Sequence, residues 1–155
     1  GIVYEKQKNY DDAIRSYTES LRIKENGEAF QNLGVCCLRK GMLKEAYRNL
    51  MKALLLNPNK YTIYNSLGAV YEKRGNYSSA IQVLEIGTKI NPENTIGFYN
   101  LGIACDKKGD FGKALAAYEK AVELNHAKSD EIRKRVKQLK AIIENSPKYS
   151  FKVGG

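Results

Sequence analysis

Apolar residues recur along this chain at three- and four-residue steps. Leu33 and Cys37 share one helical stripe with Lys40, and Leu67 and Tyr71 share another with Arg74, so the apolar members of each stripe face a partner helix. Gly41, Gly75 and Gly109 close these stripes, because a helix C-terminus commonly takes a left-handed residue, where glycine carries no Cβ penalty. A second helix follows each glycine. In it Ala46 precedes Leu50, Ala80 precedes Leu84 and Ala114 precedes Tyr118, a small residue one turn before a large one, which lets two helices approach closely. Asn57-Pro58 and Asn91-Pro92 then end the second helix, since proline disfavours helical geometry in the residue before it.

The same sentence is written three times: EAFQNLGVCCLRKGMLKEA from Glu28, TIYNSLGAVYEKRGNYSSA from Thr62 and IGFYNLGIACDKKGDFGKA from Ile96. The pairs Leu33-Gly34, Leu67-Gly68 and Leu101-Gly102 are 34 residues apart. This spacing predicts an all-α array of helix pairs, helical from about Asp11 to Asn145 outside the turns, with no sheet. It resembles the tetratricopeptide repeat (TPR), a helix-turn-helix unit; the matching residues include Tyr71, the turn glycines, Ala53, Ala121, Pro58 and Pro92. The resemblance implies a right-handed superhelical solenoid. Departures are Phe30, Tyr64 and Phe98 where the family opens with Trp, Cys37 and Cys105 in the place of Tyr71, Gly87 where Ala is usual, and His126 in the proline slot.

The ends extend the pattern. Gly1, Tyr4, Ala13, Tyr17 and Ser20 fit the template from its middle onward, so the chain is expected to begin partway through a first helix. Ser129 to Asn145 carries Ile132, Val136, Leu139 and Ile143 at helical spacing, with Ser129 as N-cap and Asp130-Glu131 in the first turn. It reads as a capping helix over the last repeat. The expected organisation is one domain over 1–145: a partial repeat at 1–26, full repeats at 27–60, 61–94 and 95–128, and the cap at 129–145, followed by a flexible tail at 146–155. That tail alternates Tyr149, Phe151 and Val153 with polar residues, which also suits an extended segment in a groove.

Composition adds limits. No apolar run approaches the roughly 18 residues of a membrane span. Three cysteines without disulfide-type spacing suit a reducing compartment, so the cytoplasm is expected; the three thiols are expected to be reduced, with Cys37 and Cys105 buried. Cys36, Cys37 and Cys105 form no metal-ligand spacing, the glycines form no phosphate loop, and His126, the single histidine, sits in a turn without partners in sequence. The expectation is a non-enzymatic protein with no cofactor and no metal. The net charge of +9 sits at the ends: residues 1–60 hold 11 Lys/Arg against 7 Asp/Glu, residues 61–126 balance at 7 and 7, and residues 127–155 hold 8 against 3.

In a TPR array the first helices line the concave side. Their remaining faces hold Glu28, Gln31, Asn32, Val35 and Arg39; Thr62, Asn65, Ser66, Ala69 and Lys73; and Ile96, Tyr99, Asn100, Ile103 and Lys107. This mixed surface is the expected groove for a peptide or helix of a protein partner. Asn32 and Asn100 can either pair with an extended peptide backbone or brace neighbouring helices. Family members that grip acidic chaperone C-termini use a carboxylate clamp; from Gln31 and Val35 through Ser66 to Ile96 and Asn100 its basic members are missing, which argues against a chaperone adaptor. Arg133, Lys134, Arg135, Lys137 and Lys140 crowd the capping helix, as a solvated outer face or a surface for phosphates, an acidic protein or a membrane. Without interleaved aromatics the solvated face is preferred. A self-assembling scaffold and a regulatory fragment of a larger protein or enzyme are the other readings.

Overall fold

The computed structural model describes residues 2–147, with side chains from Lys6 onward. Among these residues there are eight helices and no strand: α1 (Ile2–Ile23), α2 (Gly27–Arg39), α3 (Leu43–Leu56), α4 (Tyr61–Lys73), α5 (Tyr77–Ile90), α6 (Thr95–Lys108), α7 (Phe111–Glu123) and α8 (Ser129–Asn145). The pairs α2/α3, α4/α5 and α6/α7 are antiparallel hairpins. Their close approach has a steric cause. A Cβ placed on Gly34, Gly68 or Gly102 would lie 2.7, 2.5 and 2.5 Å from the side chains of Leu50, Leu84 and Tyr118. Only a residue without a side chain admits the partner helix at that distance.

Each hairpin turn is built as expected. Gly41, Gly75 and Gly109 have φ of 77°, 77° and 87°. The amides of Met42, Asn76 and Asp110 each bond the carbonyl five residues back, on Cys37, Tyr71 and Cys105, at 2.9 Å, which satisfies carbonyls the helix end leaves open. Asn57 and Asn91 cap the C-termini of α3 and α5 ahead of the prolines. The last repeat ends differently. Asn125 takes the left-handed conformation at φ 60°, and the His126 amide bonds Ala121 O at 3.0 Å. Proline has no N–H, so neither Pro58 nor Pro92 could make that bond; His126 in the proline slot is what permits it.

The helices form two rows. Backbones of α2 and α4, and of α4 and α6, approach one another directly, whereas those of α3 and α5, and of α5 and α7, do not. An array that is tight on one row and open on the other curves toward the tight row, so α2, α4 and α6 line the concave side. The core forms two clusters that both meet the half-buried Val83: Phe30, Leu33, Cys37, Leu50, Ile63, Leu67 and Val70 fill one, and Ile81, Leu84, Cys105, Tyr118, Ile132 and Leu139 the other.

Two expectations are corrected at the ends. Where the template places a turn glycine, the first repeat has Lys8, and α1 runs through that point as one 22-residue helix. Ser129 does not cap α8: it is the first helical residue, its hydroxyl donates to His126 O at 2.6 Å, and the N-cap position falls to Lys128, which offers no side-chain bond. α8 does cover the last repeat, burying Ile132 and Leu139 against it. It begins 34 residues after Thr95, in the place of a first helix, yet holds Val136 where the others hold glycine. Of the expected tail only Ser146 and Pro147 are described; residues 148–155 lie outside the described residues.

Candidate functional site

The inner row divides its polar residues into those spent on the fold and those left over. Gln31 and Asn65 belong to the first group, contrary to their expected place in the groove; each is only 9% exposed. Gln31 Nε2 donates to Thr62 Oγ1 at 2.8 Å, tying α2 to α4. Asn65 and Asn94 exchange two amide bonds: Asn65 Nδ2 donates to Asn94 Oδ1 at 2.9 Å and Asn94 Nδ2 to Asn65 Oδ1 at 2.8 Å. Asn94 Oδ1 also accepts from Gly97 N at 3.0 Å, capping α6. Gly97 makes this arrangement possible, because a Cβ there would lie 2.2 Å from Asn94 Nδ2. Asn94 was not among the expected site residues; the signal was Asn before a helix start, in the slot that Asn26 also fills as the cap of α2 and that Lys60 and Lys128 hold in the other repeats.

Asn32 and Asn100 are half-buried on the same row, and among the described residues neither amide is engaged. Ser66 returns its hydroxyl to Thr62 O at 3.2 Å. Between α4 and α6 lies a hollow of about 80 Å³ lined by Gly68, Ala69, Glu72, Asn100 and Ile103. Beside it Ile96 is 58% exposed. Val35, Ala69 and Ile103 are half-buried along the same face. Arg39, Lys73 and Lys107 close the C-terminal edge of the row, all exposed; Lys107 bonds Glu72 of the neighbouring helix, which holds its ammonium pKa above the ordinary value. Tyr99 is occupied otherwise: His126 stacks on it with ring centroids 4.4 Å apart, and Lys128 Nζ lies 5.5 Å above the ring.

His126, Cys37, Cys105 and Tyr118 are engaged or buried within the fold. His126 Nδ1 accepts from Lys128 N at 3.0 Å, and burial, with the Lys128 charge, pushes its pKa down, keeping the ring neutral near pH 7. The three cysteines are free thiols; Cys37 and Cys105 are 2% and 0% exposed. Burial, reinforced by Asp110, pushes Cys105 up to about 11. Burial and the Asp106 carboxylate push the Tyr118 phenol up as well.

The basic helix α8 is less uniform than its sequence implied. Arg135 is only partly in solvent: its Nε and Nη2 grip both oxygens of Asp106 on α6, at 2.7 and 2.6 Å, and Tyr118 Oη donates to the same carboxylate at 3.3 Å. Lys140 pairs with Glu119 at 3.2 Å and Arg133 with Asp130 at 3.1 Å. Lys134 and Lys137 are exposed, without a partner among the described residues.

Stacked helix pairs with a curved inner face define a solenoid adaptor fold. The chain belongs to the tetratricopeptide repeat family, whose models match residues 1–28, 27–60, 49–82 and 96–127. Over 76 residues it is 32% identical to the photosystem I assembly protein Ycf3 of Prochlorococcus marinus (strain MIT 9211), a match covering 46% of this chain and 44% of that protein. The chain thus matches less than half the length of its curated relative. Among solved structures it resembles MamA, at 25% identity and TM-score 0.73 over 94% of this chain and 95% of that one. It also resembles YrrB, described as a TPR protein with an unusual peptide-binding site, at 27% identity and TM-score 0.73 over 86% and 71%.

Proposed function

We propose that this chain is a non-enzymatic protein-interaction module that binds a peptide or helix of a partner protein on the face formed by α2, α4 and α6. The observation that carries the reading is the division of amides on that face. Gln31, Asn65 and Asn94 are consumed by the stack, while Asn32 on α2 and Asn100 at the α4/α6 hollow keep their hydrogen-bonding capacity unused. Amides so placed suit the backbone of an extended segment. The description of YrrB as peptide-binding and of Ycf3 as an assembly protein supports the same class of role. The buried thiols and the engaged histidine support a structural reading of the reactive side chains, and free thiols suit the cytoplasm.

Capture of partners by the intact chain, followed by affinity measurement on the Asn32→Ala/Asn100→Ala double variant, tests the proposal. Binding should weaken while the melting temperature stays within about 2 °C. A variant that melts several degrees lower with full affinity would make these asparagines braces and remove the recognition role. A second reading, recruitment to an anionic surface, rests on exposed Lys134 and Lys137. It requires affinity to fall steeply between about 50 and 200 mM salt and to collapse when both lysines become glutamate.

A further inference from the structure

On the outer side of the last hairpin, between α5, α6 and α7, lies a second cleft of about 230 Å³, lined by Glu85, Phe98, Leu101, Cys105, Lys113, Ala116 and Ala117. Its origin is visible in the repeat register. One repeat earlier, the same slots hold Met51 for Glu85, Tyr71 for Cys105, Gln82 for Ala116 and Val83 for Ala117. There Met51 and Val83 pack onto the core, and the Tyr71 ring fills the space edge-on to Tyr47 at 5.8 Å. In the last repeat these volumes shrink while Lys113 replaces Ser79 at the mouth, and Cys105 forms a fully buried floor where a phenol ring would stand. The cleft is therefore the missing space of an aromatic side chain.

We propose that this cleft is a binding site for a flat aromatic ring, occupying the place that Tyr71 takes one repeat earlier. The walls, Phe98, Leu101 and the two alanines, supply apolar contact on both faces of a ring, and rings pair well edge-on or offset. At the mouth Lys113 Nζ and Glu85 Oε1 are 3.5 Å apart and half in solvent, so the lysine can turn over an incoming ring. Among the described residues a cation lies over a ring in three other places: Lys52 over Phe30 at 5.3 Å, Arg74 over Tyr47 at 5.2 Å and Lys128 over Tyr99 at 5.5 Å. Because Cys105 keeps its proton up to about pH 11, the floor stays uncharged. The ring can be carried by a partner's Phe, Tyr or Trp, or be a free indole or phenol.

The test uses the full chain in NMR titrations with indole, with phenol, with cyclohexanol as the non-aromatic control, and with a hexapeptide containing one Trp or Leu in its place. The aromatic probes should shift the methyl signals of Leu101, Ala116 and Ala117 and leave those of Ala69 and Ile103 in place. A Trp peptide at least about tenfold tighter than indole assigns the ring to a protein partner; equal affinities assign it to a free small molecule. Cys105→Tyr, which copies the preceding repeat, should fill the cleft, abolish these shifts and raise the melting temperature. Should that variant not fold, Ala117→Val with Ala116→Gln fills the cleft from α7. Absence of aromatic shifts at about 10 mM probe, equal shifts with cyclohexanol, or unchanged binding in a folded filled variant would each overturn the proposal.

Discussion

Replacing Asn65 by Ala removes two hydrogen bonds and leaves Asn94 Nδ2 with no partner in a site where Asn94 is 3% exposed. Each lost bond costs about 0.5–1.5 kcal/mol net, and a buried donor without an acceptor adds about 1–3 kcal/mol. Asn94 Oδ1 keeps its bond from Gly97 N, so the α6 cap survives and the loss stays confined to the contact between repeats. The sum is a destabilisation of ~2–6 kcal/mol, which for a chain of this size lowers the melting temperature by ~4–24 °C. Asn100→Ala, on the same row and without an amide bond to lose, should cost under ~0.5 kcal/mol. Urea and thermal unfolding followed by far-UV circular dichroism compare the two directly. A double-mutant cycle with Asn94→Ala should give a coupling of more than ~1 kcal/mol. An Asn65→Ala protein that melts within about 2 °C of the parent would refute the reasoning and return Asn65 to the groove.

Gly68→Ala drives a methyl into Leu84 at 2.5 Å and should cost ~1–3 kcal/mol, whereas Gly112→Ala on α7, with nothing within 4 Å, should gain ~0.5–1 kcal/mol; equilibrium unfolding reads both signs. Above about pH 9 the unfolded Cys105 thiol ionises while the folded one holds its proton to about 11, so stability should fall by up to ~2–3 kcal/mol across that window. The buried Tyr118 phenol, also pushed up, extends the decline to higher pH, and Cys105→Ala should flatten the pH 9–11 part of the curve. Arg135→Ala leaves Asp106 with the Tyr118 hydroxyl as its remaining donor and should destabilise by ~1–3 kcal/mol, whereas Lys134→Ala and Lys137→Ala should stay within ~0.5 kcal/mol.

The helices and turns were legible because the features that fix them are local. A glycine at the end of an apolar stripe, a small residue one turn before a large one, and Asn-Pro at a helix end act within a few residues of themselves. The site was less legible, since its polar residues differ only in which neighbour they meet. Asn32 and Asn65 look alike in sequence, but Asn94 and Gly97, 29 and 32 residues beyond Asn65, decide that Asn65 is consumed. Arg135 looked like one cation among five until Asp106 claimed it across the helix packing. The unbroken run of α1 goes with Lys8, a substitution visible in the sequence but silent until the left-handed conformation of glycine in the other turns is seen.

Val136 gives the array a direction of growth. Repeat proteins lengthen when a gene segment encoding one unit is copied in tandem, and each added unit must accept a companion helix at the distance that Gly34, Gly68 and Gly102 allow. At that slot α8 carries a branched side chain, so a helix joined after it would be held off, and a unit appended there would dangle. New units can be spliced in before Ser129, where the seam repeats itself. Val136 thus closes the run of glycine seams, and Val136→Gly with a grafted hairpin is where an engineer would begin to extend them.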